Sequence, residues 1–223
     1  MTEAFPRSRW LGFNFLASAV LSVLGQTRLV ASPWLAYVFK PLTLALLIAA
    51  VAAVALHERR RYAWAVAVGL AFSLVGDMFL MLPRDLFVAG LSSFLLAHLA
   101  YLYAFTTDCR FLPRLGPALA MAAVAIGVTA YLWPGLAPAL RAPVVLYVAA
   151  LSAMAAQAMG RTHVLGTAAA RAAGWGAALF VLSDALLAVN RFRHLFTGAG
   201  LSVLLTYFAA QWLIARSAWE EGG

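Results

Sequence analysis

Cysteine is nearly missing from this sequence. Cys109 is the only one in 223 residues, which rules out an intrachain disulfide and any metal centre made of several thiolates. Charge is almost as scarce: Asp, Glu, Lys and Arg make up 11% of the chain, against about 25% in a soluble domain, while 65% is hydrophobic and mean hydropathy is +0.89. Such a chain needs lipid as its solvent. The 16 Lys+Arg against 8 Asp+Glu would suggest nucleic acid in a soluble protein, but here the cations fall between apolar runs, where they set topology, and no nucleic-acid partner is expected. Several catalytic signatures are absent as well. There is no HExxH, no Gly-rich phosphate loop and no GxSxG elbow inside a span. Of the histidines, His57, His163 and His194 lie in connections and only His98 lies in a span, too few for a buried zinc site, so neither a metal nor another cofactor is expected.

What is present is a series of apolar runs near the length of about 20 residues that a bilayer core about 30 Å thick requires. They run approximately over 10–24, 34–56, 63–82, 86–105, 115–133, 143–159, 172–189 and 196–215, the first being the shortest. The expected fold is therefore all-α, a polytopic membrane bundle of about eight transmembrane helices forming one integral membrane domain over 1–223. Arg7 and Arg9 ahead of Ala17-Ser18-Ala19 resemble a signal peptide, but further spans follow and the first is read as a retained helix. Pro83-Arg84-Asp85, Asp108 to Arg114, Pro134 to Arg141, Arg161 to Arg171 and Arg191 to His194 read as connections.

Eight spans place both termini on one side. That side carries ten arginines, including Arg59, Arg60, Arg61, Arg110, Arg114, Arg161 and Arg171, against five opposite, namely Arg28, Arg84, Arg141, Arg191 and Arg193, so both termini are expected in the cytoplasm. Fifteen arginines against the lone Lys40, with abundant alanine, fit a GC-rich bacterial genome and hence a bacterial inner membrane. A shift of 110 residues aligns Pro33 with Pro143, Tyr37 with Tyr147, and Ala89-Gly90-Leu91-Ser92 with Ala199-Gly200-Leu201-Ser202. The reading is a degenerate four-plus-four parallel repeat with halves 1–112 and 113–223, an arrangement that builds a site at the repeat interface; the competing reading is chance matching among few residue types.

Asp77 and Asp184 are the only carboxylates within spans, and they occupy related places in the two halves, Gly76-Asp77 and Ser183-Asp184. A carboxylate at mid-membrane costs about 2.5 to 3.5 kcal/mol on insertion scales, so the default explanation of two is function. Each lies five residues before the end of its span, about 8 Å below the non-cytoplasmic boundary, and equal depth permits one shared pocket. Lys40 reaches a similar depth in the second span. It is a counter-ion for one aspartate, a contact for a substrate phosphate, or a lysine snorkelling to the interface. Tyr147 either joins this layer or anchors its helix at the interface, and His98 with Tyr101, and Tyr207 with Gln211, are polar pairs sharing a helical face. For His98, a hydrogen-bonded packing role competes with a functional one.

Lys40-Pro41, Phe72-Ser73-Leu74-Val75-Gly76-Asp77, Phe94-x3-His98-x2-Tyr101 and Phe180-x2-Ser183-Asp184-x5-Asn190-Arg191-Phe192 together resemble the YhhN family, over most of the chain from Lys40 to Gln211. That family contains lysoplasmalogenases. The resemblance implies eight helices and catalytic roles for Asp77 and Asp184; Lys40, His98, Tyr101, Tyr147, Ser183, Asn190, Tyr207 and Gln211 stand beside them as candidate supporting or substrate-binding residues. It further implies water as co-substrate, a lysophospholipid drawn from membrane lipid, and products that are a fatty aldehyde and a glycerophospho-ethanolamine or glycerophospho-choline. Vinyl ether hydrolysis needs a proton donor for the β-carbon and an ionised partner for the resulting oxocarbenium ion, and two carboxylates in a poorly hydrated pocket can be held in those two states. The alternatives are a proton-coupled transporter with Asp77, Asp184 and Lys40 as relay, and a non-catalytic interaction protein, which leaves two carboxylates at matched depth unexplained.

Overall fold

The computed structural model describes residues 7–26, 32–58 and 60–220. Its eight α-helices are α1 (Arg7–Gln26), α2 (Pro33–Glu58), α3 (Arg61–Met81), α4 (Phe87–Thr106), α5 (Leu115–Leu132), α6 (Pro138–Leu165), α7 (Ala168–Phe192) and α8 (Ala199–Glu220). Among the described residues seven helices are long and apolar enough to span a bilayer, and α1 contributes the shorter apolar stretch Trp10–Gly25. Arg28 and Arg59, part of the charge pattern above, lie outside the described residues.

Six helices pack in a closed cycle, α2 on α3, α3 on α4, α4 on α6, α6 on α7, α7 on α8 and α8 back on α2; α1 lies outside against α2 and α8, and α5 outside against α6 and α7. Lipid supplies no hydrophobic drive between helices, so close contact of small residues holds such a bundle. At Gly69 of α3 an added Cβ would overlap the Tyr101 ring of α4, and at Gly176 of α7 it would come within 2.9 Å of Ile214 of α8. Exposed aromatics form two girdles. Trp34, Tyr37, Tyr131 and Trp133 ring the end where α2 begins, and Trp10, Trp64, Tyr103 and Trp175 ring the other, as side chains with apolar bodies and polar tips do at membrane interfaces.

Two connections differ from the sequence reading. Residues 133–135 form a 3₁₀ turn and α6 begins already at Pro138, so Pro143 lies inside the helix. At its other end α6 continues past Met159 to Leu165, and Arg161 is a fully buried member of it rather than part of a connection. Arg161 Nε donates to both carboxylate oxygens of Asp108, at 2.8 and 3.0 Å, and the guanidinium stacks 4.8 Å from the Tyr62 ring. One turn earlier Gln157 accepts from Leu112 N at 2.6 Å and donates to the carbonyls of Phe105 and Arg110. Hydropathy ends the span just before Arg161 because that residue is charged. The helix continues because the α4–α5 connection folds over and satisfies Arg161 and Gln157.

Candidate active site

Helix packing brings Asp77 and Asp184 to the wall of one cavity of about 510 Å³ that reaches from the six-helix cycle to α5. Lys40, Tyr147, Ser183, Asn190 and Tyr207 also line it, as do the unforeseen Tyr37, Phe94 and Ser152. The lining continues to Met81, Phe87, Asn190 and Phe192 at the end of the bundle with Trp34 and Trp133, and along an apolar branch formed by Val124, Val128 and Leu132 of α5 with Val181, Ala185 and Ala188 of α7.

Asp77 is buried and fully engaged. Lys40 Nζ lies 2.6 Å from Oδ1, and the Tyr207 hydroxyl donates to Oδ2 at 2.7 Å. Of the three readings of Lys40, the structure therefore gives the counter-ion, with its side chain 13% exposed and its ammonium 5.7 Å from the Tyr207 ring centroid. Pro41 helps to place it. Lacking an N–H, proline leaves the Tyr37 carbonyl without its intrahelical donor and loosens the helix around Lys40. The Tyr37 hydroxyl crosses to the Met81 carbonyl at 3.0 Å and ties α2 to the end of α3, one turn above Asp77.

Asp184 has different neighbours. Tyr147 donates its hydroxyl proton to Oδ2 of Asp184, and His98 Nε2 sits 2.9 Å from the same hydroxyl and 3.5 Å from that carboxylate oxygen. A tyrosine has one proton, so with that proton on the Asp184 side its oxygen accepts from His98, which assigns the imidazole proton to Nε2. Nδ1 is then a buried acceptor, and it has no hydrogen-bond partner among the described residues. His98 is thus connected to Asp184 through Tyr147 from outside the cavity wall, and Tyr147 belongs to the acidic layer rather than acting as an interfacial anchor.

The remaining predicted residues brace this layer. The Tyr101 hydroxyl donates to Gln211 Oε1 at 2.7 Å and lies 3.5 Å from Ser73, joining α4, α8 and α3 below the cavity without lining it. Ser183 donates to the Val203 carbonyl at 3.1 Å, fixing α7 against α8 beside Asp184, and Asn190 Oδ1 accepts from Phe196 N where α7 ends. Phe180 fills the centre, with its ring centroid 4.8 Å from His98, 5.6 Å from Tyr207 and 6.3 Å from Phe94. It packs against Tyr207, which holds Asp77, and against His98, which reaches Asp184 through Tyr147. Among the described residues no three His, Cys, Asp or Glu side chains group together as a metal site would require.

The sequence model of the YhhN family matches residues 35–218. The chain is 37% identical to the lysoplasmalogenase TMEM86B of Rattus norvegicus over 73% of its own length and 64% of that protein's. It is 37% identical to the lysoplasmalogenase TMEM86A of Homo sapiens over 69% of its length and 65% of the human chain. Against the lysoplasmalogenase of Mycobacterium tuberculosis it is 31% identical over 92% of its length and 79% of the other's. The match thus spans slightly under two thirds of these mammalian relatives. No solved structure matches the chain.

Proposed function

The chain belongs to the YhhN family, and from that premise we propose that it is a membrane-embedded lysoplasmalogenase, cleaving the vinyl ether of a lysoplasmalogen to a fatty aldehyde and a glycerophospho-ethanolamine or glycerophospho-choline. The observation that carries this reading is the presence of two carboxylates on one cavity wall, one against an ammonium and one against neutral hydrogen-bonding groups. Asp77, paired with Lys40, is the ionised member. Asp184 is the acid.

In this scheme Asp184 transfers its proton to the β-carbon of the vinyl ether, and the oxocarbenium ion that forms is stabilised by the Asp77 carboxylate. Water adds to the α-carbon and gives a proton back to Asp184, and the resulting hemiacetal collapses as its hydroxyl proton passes to the glycerol oxygen and the bond to that oxygen breaks. One water is consumed and no group remains on the protein. The Tyr147–His98 chain holds the Asp184 carboxyl in register. A single-chain lipid suits the cavity, with its tail in the apolar branch between α5 and α7 and its polar head toward Phe87 and Phe192.

The competing transporter reading would use discontinuous helices around the site. Both α3 and α7, which carry the aspartates, run unbroken. We further read the chain as a parallel repeat with both termini cytoplasmic; the packing of α4 on α6 and of α8 on α2, with α1 and α5 both outside, supports the repeat. The deciding experiment is incubation of the purified protein in detergent, without any ion gradient, with 1-alkenyl lysophosphatidylethanolamine and lysophosphatidylcholine. Aldehyde released in proportion to enzyme is the expected result. None from either lipid overturns the assignment.

A further inference from the structure

At the open end of the cavity two residues outside the acidic layer form an ion pair across the bundle. Arg191 Nη2 of α7 lies 2.8 and 2.9 Å from the two carboxylate oxygens of Asp85 in the α3–α4 connection. Asp85 also accepts from the backbone N–H of Phe87 at 3.3 Å, which holds it at the start of α4. The Arg191 guanidinium lies 4.2 Å over the Phe87 ring, and Phe87 meets Phe192 edge to face at 5.4 Å; both rings line the cavity below. The pair is therefore a charged rim on an aromatic threshold. Its side chains are 36% and 73% exposed, at the level of the Trp34 and Trp133 girdle where lipid head groups lie.

We propose that Arg191 and Asp85 are the head-group site, Arg191 taking the phosphate and Asp85 the ammonium of a zwitterionic lysophospholipid. This rests on the hydrolase reading and specifies how that substrate is held. Three observations converge on it. Lys40, the other cation considered for the phosphate, is committed to Asp77. Arg191 stands seven residues after Asp184, two turns on and on the same helical face, which at 1.5 Å per residue sets them about 10 Å apart along α7. From the β-carbon of the vinyl ether to phosphorus there are seven bonds, and a zigzag of bonds of ~1.4–1.5 Å spans about 9 Å. The ammonium lies further out, and Asp85 is the more exposed partner.

The exchange is chemically even. An ion pair in contact with water holds its two members weakly, and a zwitterion inserted between them gives each a partner of the sign it had. Guanidinium has the planar fork that binds phosphate with two parallel hydrogen bonds.

The test uses the full-length protein in nanodiscs and the equilibrium binding of three labelled lipids, a 1-alkyl lysophosphatidylethanolamine, 1-alkylglycerol-3-phosphate and 1-alkylglycerol. The alkyl ether has no double bond to protonate, so binding is read apart from hydrolysis. Wild type is expected to prefer the two phosphate lipids over the alkylglycerol, and Arg191→Gln to lose that preference by about tenfold or more, as removal of a charge-assisted pair does. Asp85→Asn is expected to erase only the advantage of ethanolamine phosphate over bare phosphate. The double exchange Asp85→Arg with Arg191→Asp keeps an ion pair and hence any latch between α7 and the α3–α4 connection, yet inverts the order of charges. Weak head-group binding by this variant supports the site. Wild-type binding by it, or by Arg191→Gln, or a wild type that does not distinguish phosphate lipids from alkylglycerol, overturns the proposal. Aldehyde release from the alkenyl lipid is measured in parallel, so that head-group binding dependent on Arg191 without hydrolysis sinks the enzymatic reading alone.

Discussion

Asp77 and Asp184 begin as near equivalents. Each follows a small residue in an unbroken helix, and each faces the same cavity. What surrounds them differs in kind. Asp77, 3% exposed, has an ammonium from α2 and a phenol from α8, whereas Asp184, 15% exposed, has a phenol from α6 backed by an imidazole from α4. The asymmetry comes from the other helices. The carboxylate beside the ammonium faces a full positive charge, while the one beside the phenol faces only a neutral donor. On the hydrolase proposal, neighbouring helices divide one residue type into two chemical roles, as environment does for the two carboxylates of a glycosidase.

The largest effect should come from erasing either role. Asp77→Asn and Asp184→Asn preserve shape and some hydrogen bonding but remove the titrating group, and each should lower aldehyde release by at least about 10²-fold while the protein still inserts and elutes as a folded species. Near wild-type turnover by both folded variants would end the mechanism. Loss of folding in both would favour a structural role, in which Asp77 pins α3 to α2 and α8 and Asp184 pins α7 to α6.

Lys40→Met sharpens the contrast further. It leaves Asp77 buried with only the Tyr207 hydroxyl, and breaking one side of a buried ion pair costs about 3 to 5 kcal/mol. Thermal unfolding in detergent should show that loss, along with a severe fall in activity. Adding Asp77→Asn to Lys40→Met should recover most of the stability and none of the activity, because the stranded charge is gone but the ionised partner is gone too. Additive destabilisation in the double variant would mean that the two side chains are not coupled.

The two phenols should then rank in a definite order. Tyr147→Phe removes the hydrogen bond to Asp184 and the bridge to His98 together, and about a tenfold to hundredfold loss of turnover is expected. Tyr207→Phe leaves Lys40 in place on Asp77, and its loss should be only a few-fold, in line with one hydrogen bond worth about 0.5–1.5 kcal/mol. The reverse order in steady-state rates would exchange the roles assigned to the two aspartates.

Much of this was legible in the sequence because charge is so rare in it. Against apolar runs, Asp77, Asp184 and Lys40 stand out individually, and their depths follow from counting residues. Counting cannot choose among partners, since depth leaves rotation about each helix axis open. That Lys40 meets Asp77 and not Asp184, and that His98 reaches Asp184 through Tyr147, is decided by α2 packing on α3 and α4 packing on α6. The same scarcity misleads at Arg161, where a charged residue reads as the start of a connection although the helix continues and the α4–α5 connection covers it. Asp85 and Arg191 look like ordinary connection charges until their pairing across the bundle is seen.

The smallest expected effect is none at all, from chelation. A divalent cation would need both carboxylates and His98 to be free to coordinate, and in this site each is already engaged by a group that does what a metal would do or blocks it. Lys40 supplies the positive charge on Asp77 at 2.6 Å. His98 Nε2 is turned to the Tyr147 hydroxyl, and its other nitrogen is buried away from the cavity among the packed rings of α4 and α7. Oxygen and nitrogen ligands for a hydrolytic metal have to converge on one point with an open position for water, whereas Asp77 is held by Lys40 and Tyr207, and the Tyr147 hydroxyl already takes the point on which Asp184 and His98 converge. Aldehyde release should therefore be unchanged after exhaustive dialysis against a strong chelator. Complete loss, with recovery on returning one particular metal ion, would require the Lys40–Asp77 pair to open during turnover and would recast the contrast between the two aspartates as a difference between two ligands of one ion.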